Sequence, residues 1–351
     1  MEYEEYIRAT GERIDRLVSL DVPARSAIQI LYPLARGKSK EPLCLAAARL
    51  LQERVHQKEV VFLATGVPNR PHINPAIAET DGPVGAAALA RALHHGLGAV
   101  SVILVEDLII EGMSRVTRAA GFRVLSPDEA IAAAHSRPLI RGAAVIGFPT
   151  DAMEAQRKAR ELIEQYKPAA IIAIEKGGMN EKEKIHSSRG DEYTATMAKI
   201  DYLVLEARKR NIATIGIGDG GNELGMGVIQ EEIKKSSIPW AAKCRCGCGG
   251  GIAPATPTDV LITATVSNWG AYGIAACLAA LLQRPEVLHD AKVEEALLQA
   301  AADASFIDGA TGYVIPGADS LASPVHQAFI TLLAEIVRQS LRYFKEGTLL
   351  K

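Results

Sequence analysis

Seven short apolar runs punctuate the chain, at residues 60–64, 100–105, 122–125, 143–148, 170–174, 212–217 and 260–265. Most are followed by a stretch whose apolar residues recur at helical spacing. Runs that are apolar at consecutive positions, rather than alternating, mark strands buried on both faces. Seven such runs separated mostly by helices predict an α/β fold: a doubly wound, Rossmann-like, mostly parallel sheet of about seven strands. Polar residues support the helix starts. Ser126-Pro127-Asp128-Glu129 spells a capping box, Asp151 to Glu154 repeats the signal, and Asp81 stands where it can cap a helix opening at Pro83.

Outside these runs the pattern is helical. Residues 6–18, 24–32 and 43–54 carry apolar positions at helical spacing, with a break expected from Pro33 to Pro42. This divides the chain into a helical N-terminal arm or cap, 1–56, and an α/β domain, 57–351. After residue 282 two more helices are expected, 293–302 and 324–344, with a loop at Asp308-Gly309-Ala310-Thr311-Gly312 between them. His326, in the first turn of the last helix, is read as a structural hydrogen-bonder. Residues 260–282 hold no charge and are long enough to span a bilayer. They split into a β-rich half, a Ser267-Asn268 turn and an Ala-rich half, so a buried strand–turn–helix is expected.

Composition narrows the function classes. The 351 residues carry 39 basic and 41 acidic side chains, a net charge of −2. That balance announces neither a nucleic-acid nor a membrane partner. The charged N-terminus lacks an apolar signal core, so a cytoplasmic protein is expected, with a homo-oligomer compatible. Three of the five cysteines, Cys244, Cys246 and Cys248, alternate through a Gly-rich stretch. Zinc sites ordinarily need a second pair of ligands. Cys44 and Cys277 fall in helical apolar context, so the stretch is read first as a Gly-rich loop in a reducing compartment, with a metal or redox role for the cluster as the lesser alternative. Gly-x-Ser-x-Gly, the Walker lysine loop, His-Glu-x-x-His and Cys-x-x-Cys are all missing from the sequence.

The densest candidate chemistry lies at residues 212–227, IATIGIGDGGNELGMG. Gly216-x-Gly218-x-x-Gly221 matches the dinucleotide fingerprint. Yet Asp219 sits where a pyrophosphate would lie, and no strand ending in an acid follows about 20 residues on. No nucleotide cofactor is therefore expected, and a carboxylate-bearing glycine loop suits a cation or an ammonium group. Ligands of such sheets bind outside the carboxyl ends of the strands, where Thr65, Gly66, Glu106, Asp107, Glu175, Lys176, Asp219 and Asn268 fall. Asp81, Glu175, Asp219 and Glu223 can hold a cation, and Lys176 and Arg189 a carboxylate. Together they suit an amino-acid zwitterion, with loop 177–192, carrying Asn180, His186 and Arg189, able to close over it.

The residues 79–86 (ETDGPVGA), 218–227 (GDGGNELGMG) and 266–270 (VSNWG) resemble the D-glutamate cyclase-like C-terminal domain family, across residues 62–272. The resemblance implies conversion of D-glutamate or a related amino acid to 5-oxo-D-proline and water, an activity of mitochondrial relatives that carry a further N-terminal domain. It directs attention to Asp219 or Glu223 as base. A Mg2+ or Mn2+ ion on Asp81, Asp219 and Asn222, or Lys176 itself, would neutralise the γ-carboxylate. Thr65, Gly66, Asp81, Glu175, Asn180, Arg189, Gly220, Gly221, Asn222 and Asn268 are the expected substrate contacts. Two other readings stay open: a small-molecule binding domain without turnover, and a metal- or nucleotide-dependent enzyme of another class.

Overall fold

Seven strands form where the apolar runs predict them. The computed structural model describes residues 3–346. The chain opens with α1 (Tyr3–Val18), α2 (Ala27–Lys38) and α3 (Leu43–Arg54), then runs β1 (Val60–Ala64), α4 (Pro83–Leu97), β2 (Val100–Val105), α5 (Ile110–Ala119), β3 (Arg123–Leu125), α6 (Pro127–Ala134), β4 (Gly142–Gly147) and α7 (Ala152–Tyr166). It continues through β5 (Ala170–Ile174), α8 (Ile200–Lys209), β6 (Ala213–Gly218), α9 (Gln230–Lys235), β7 (Val260–Thr263), α10 (Ser267–Leu281), α11 (Ala291–Asp303), the short hairpin β8 (Gly317–Ala318) and β9 (Leu321–Ala322), and α12 (Ser323–Glu346).

The sheet is parallel throughout, in the order β3-β4-β2-β1-β5-β6-β7. Each strand buries alternate residues on opposite faces. In β1, Val61 and Leu63 face one apolar cluster while Val60, Phe62 and Ala64 face the other. The second face is covered by α6, α7 and α8. The first carries a thicker layer centred on α10, whose residues from Ser267 to Ala280 are all buried. It packs against α1, α3, α4 and α12. A helix enclosed on every side must be apolar all round, which accounts for the uncharged stretch. Among the described residues no helix is long and apolar enough to cross a membrane.

Two local expectations need correction. α2 does not stop at Pro33 but continues to Lys38. Ile28, Leu31 and Ala35 bury along one side of it, so packing on both sides of the proline offsets the missing N–H. Asp81 does not cap α4. Its Oδ1 and Oδ2 instead accept the Asn268 and Ser267 amides at the start of α10 (2.8 and 2.9 Å). In return Asn268 Oδ1 accepts the Gly82 and Gly85 amides at the start of α4 (2.9 and 2.6 Å). The two helices exchange caps. The Ser126 capping box and the Asp151 cap form as expected.

Candidate active site

The sheet order reverses beside β1: the chain lays β2 next to β1, β3 at the edge and β4 between those two, then returns to lay β5, β6 and β7 on the other side. Loops leaving β1 and β5 diverge there and open a crevice, the usual ligand position in such sheets. A cavity of about 230 Å³ occupies it, walled by residues that follow β1, β5 and β6 and by three more distant segments. It is smaller than the roughly 300–1,000 Å³ typical for drug-sized ligands, so it suits a small metabolite.

The glycine loop after β6 is shaped by Glu223. Its carboxylate folds back to accept the Gly220 and Gly221 amides (2.7 and 2.9 Å). A Cβ on Gly218 would stand 2.6 Å from that of Glu223, so the glycine makes room for the fold-back. Leu224 N donates to Lys176 O and Gly178 N to Asn222 O, tying the loop to the segment after β5. This geometry presents Asp219 to the cavity. At the end of β5, Glu175 adopts φ 46°, a conformation uncommon outside glycine and often found at functional sites. Glu175 lines the cavity and accepts from Ser267 Oγ (2.5 Å).

Carboxyls dominate the lining: Glu79, Glu175, Asp219, Glu223 and Asp319, with Asp81 behind. Arg25 faces them from the loop between α1 and α2. Its Nη2 donates to Asp219 Oδ2 (2.6 Å), Asp319 Oδ2 (2.8 Å) and Thr265 O (2.6 Å). Asp21 holds that loop by accepting the Arg25 and Ser26 amides (3.0 and 2.9 Å). Asp319 enters from the β8–β9 turn, where it and Ser320 have φ of 56° and 68°, as a tight two-residue hairpin requires.

So many acids in one buried place cannot all ionise. Burial pushes Asp219 up to about 7, opposed by Arg25 and reinforced by Glu223 and Asp81. Burial and Asp319 raise Asp81 to about 8, and burial and Asp219 raise Asp319 to about 8. Glu175 is driven well above the carboxylate range by burial and by Asp219, and Glu79 by burial and Asp319. Burial works against the Arg25 charge, yet Asp219 and Asp319 outweigh it and raise its pKa further.

Of the residues singled out from sequence, the cavity brings together Glu175, Arg189, Asp219, Asn222 and Glu223. The Arg189 side chain reaches Gly309 O at 3.5 Å, and Asn222 Nδ2 donates to His186 O (3.0 Å). Asp81 and Asn268 serve the helix starts behind the wall, while Gly220 and Gly221 supply amides to Glu223. Thr65 is buried beneath Gly82. Lys176 turns away from the cavity. Its ammonium is fully buried and donates to Glu106 Oε1 (2.5 Å) and Gly66 O (2.6 Å). Asn180 is also elsewhere, donating to Gly251 O (2.7 Å). Sequence reasoning missed Arg25, Asn69, Glu79 and Asp319, although Glu79 opens the resembling motif. His326 is structural: Trp269 Nε1 donates to its Nδ1 (3.0 Å).

Among the described residues, two groups of side chains can hold a metal. Carboxylate oxygens of Asp81, Glu175 and Asp219 lie within 4.8 Å of one another, as do His186 Nε2 and the sulfurs of Cys244, Cys246 and Cys248. The ligand that cysteine spacing alone did not provide comes from the loop after β5.

Residues 14–334 match the family described as D-glutamate cyclase-like, C-terminal. The chain belongs to that family. It is also 28% identical over 219 residues to the human protein named D-glutamate cyclase, mitochondrial. That similarity covers 62% of this chain and 32% of the human one, so the chain spans about a third of that relative's length. The family's match takes in the Arg25 loop, β1, β5, β6 and the Asp319 hairpin, and so every segment that lines the cavity.

Proposed function

We propose that this chain is a D-glutamate cyclase-type lyase, closing D-glutamate or a closely related amino acid to 5-oxo-D-proline with loss of water. The observation that carries the reading is the small cavity in which buried carboxyls of raised pKa face Arg25 and Arg189. The substrate is a small zwitterion with an additional carboxylate. Its ammonium group matches Asp219, and a carboxylate matches the Arg189 guanidinium.

Ring closure forms a bond between the amino nitrogen and the carbon of the γ-carboxylate (Cδ) and breaks one carbon–oxygen bond of that carboxylate. Two N–H protons end on the departing oxygen, which leaves as water, so no oxidant or reductant takes part. The amine must first lose a proton, and Asp219, with a pKa of about 7, is suited to receive it near neutral pH. Glu79, Glu175 and Asp319, held protonated by burial and by one another, suit delivery of a proton to the departing oxygen. Holding the chain curled supplies much of the advantage, because the reaction is intramolecular. Glu223 keeps Asp219 in place. As an alternative to proton delivery by Glu175, a Mg2+ or Mn2+ ion held by ionised Asp81, Glu175 and Asp219 would polarise the γ-carboxylate. As part of the same reading the protein acts on a small molecule in a reducing cytoplasmic setting, without a nucleotide.

One observation favours the second reading, amino-acid binding without turnover: Arg25 already pairs with Asp219 and competes for its proton-accepting oxygen. Incubation with D- and L-glutamate, with and without Mn2+, separates the two. Chiral chromatography should detect 5-oxo-D-proline from the D-enantiomer. Saturable binding of D-glutamate with no product would instead establish the binding reading.

A further inference from the structure

The cysteine loop and the loop after β5 meet at a point that the proposed reaction does not use. Cys244 Sγ lies 3.4 Å from Cys246 Sγ and 3.2 Å from Cys248 Sγ. His186 Nε2 lies 3.2 Å from Cys246 Sγ and 3.9 Å from Cys248 Sγ. A tetrahedral zinc with Zn–S bonds of about 2.3 Å and a Zn–N bond of about 2.0 Å has S···S edges of about 3.8 Å and S···N edges of about 3.5 Å. The sulfurs stand a few tenths of an ångström inside the first value, and the two imidazole distances bracket the second. A disulfide needs about 2.05 Å, which no pair approaches.

The surroundings suit thiolates. Asn180 Nδ2 points at Cys248 Sγ (3.5 Å) while bonding Gly251 O, and Gly250 N points at the same sulfur (3.4 Å). Asn180 Oδ1 accepts the Lys182 and Lys184 amides (2.9 and 3.1 Å), so one side chain clamps both loops around the cluster. Such outer contacts commonly orient metal ligands. Gly247 and Gly249 have φ of 79° and 77°, and a Cβ on either would meet nothing. Their glycine character therefore serves the backbone path that turns alternate cysteines toward one centre.

We propose that His186, Cys244, Cys246 and Cys248 form a structural zinc site that fastens the loop after β5 to the cysteine loop. Three soft thiolates and an imidazole select zinc over Mg2+ or Ca2+. Four protein ligands also close the tetrahedron, leaving no position for substrate. The site acts on the cavity at one remove. His186 O receives Asn222 Nδ2, and the next three residues, Ser187, Ser188 and Arg189, line the cavity. The ion holds that wall in place without touching the chemistry, and the inference stands whether or not D-glutamate is the substrate.

The test uses the full chain, purified without a histidine tag. Elemental analysis should find about one zinc per chain. Replacement by Co2+ should give the intense near-ultraviolet thiolate-to-cobalt band and the red d–d bands of a tetrahedral site. Asp219→Asn should leave those bands unchanged, whereas Cys246→Ser and His186→Asn should weaken or shift them. Cys246 is exposed, so its substitution tests ligation with little risk to folding. Chelation should make the three thiols reactive to a disulfide reagent and raise hydrogen exchange across residues 186–192. The proposal is overturned if the folded protein takes up Co2+ with no thiolate band. It is equally overturned if two of the cysteines prove to be joined as a disulfide, or if all three thiols react freely before chelation.

Discussion

Replacing Lys176 by methionine should destabilise the protein without touching the cavity. The Lys176 ammonium is fully buried, 2.5 Å from Glu106 Oε1, and the Glu106 side chain is only 4% exposed. Methionine fills most of the volume but leaves the Glu106 carboxylate with the Ala198 amide (2.8 Å) as its remaining partner. Glu106 Oε2 is already buried without a hydrogen bond. Removing one member of a buried ion pair costs about 3–5 kcal/mol, and the carbonyls of Gly66 and Thr65 also lose their donor, about 1 kcal/mol each. A loss of about 5–7 kcal/mol is therefore expected for Lys176→Met at neutral pH. Adding Glu106→Gln removes the stranded charge while keeping an oxygen for Ala198, and should recover at least about half of it. Urea unfolding followed by circular dichroism reads both outcomes. A single variant with the parental midpoint, or a double variant no better than the single one, would refute the reasoning.

Three further outcomes follow from the site. Arg25→Gln removes the cation that holds the Asp219 carboxyl down, so its pKa should climb above about 7; with Arg25 partly exposed, a rise of about one to two units is expected in the acid limb of the pH–rate profile, and an unmoved limb would count against the pairing. Asp81 and Asp319 at about 8 and Asp219 at about 7 all lie above the ordinary 3.8. Because the folded state keeps protons the unfolded chain has shed, their contribution is full below about pH 4 and fades as pH rises through 7 to 8. In chelator-treated protein the urea midpoint should fall from pH 6 to pH 9, and a rising midpoint would contradict the sign. Gly82 has φ 93° and its Cβ would lie 2.7 Å from Thr65 Oγ1 and 2.8 Å from Glu175 Cβ. Gly82→Ala should cost about 2 kcal/mol or more and weaken ligand binding, measurable by unfolding and calorimetry.

What the sequence disclosed and what it withheld divide along physical lines. Strands and most helices were legible because burial on both faces writes a continuous apolar run, and caps such as Ser126 and Asp151 act within three residues. The crevice followed from strand ends alone, which is why Glu175, Asp219 and Glu223 were identifiable. Features made by distant segments were not. Arg25 reaches Asp219 across 194 positions and Asp319 across 294, and neither run of residues carries a local sign of the other. Asp81 reads as a cap for the helix that follows it, and only the packing of α4 beside α10 shows the exchange with Asn268. Lys176 is adjacent to Glu175, yet the turn after β5 sends the two side chains to different places. His186 joins three cysteines about 60 residues away through the fold, which no spacing rule anticipates.

The most direct test of the proposed chemistry is the rate of 5-oxo-D-proline formation from D-glutamate by the parent protein and by Asp219→Asn at pH 7. Binding of D-glutamate is measured on both by calorimetry. The account predicts turnover by the parent and a loss of about 100-fold or more in the variant, the usual worth of a positioned base, with D-glutamate still bound. Product formation at equal rates by the two proteins would contradict it.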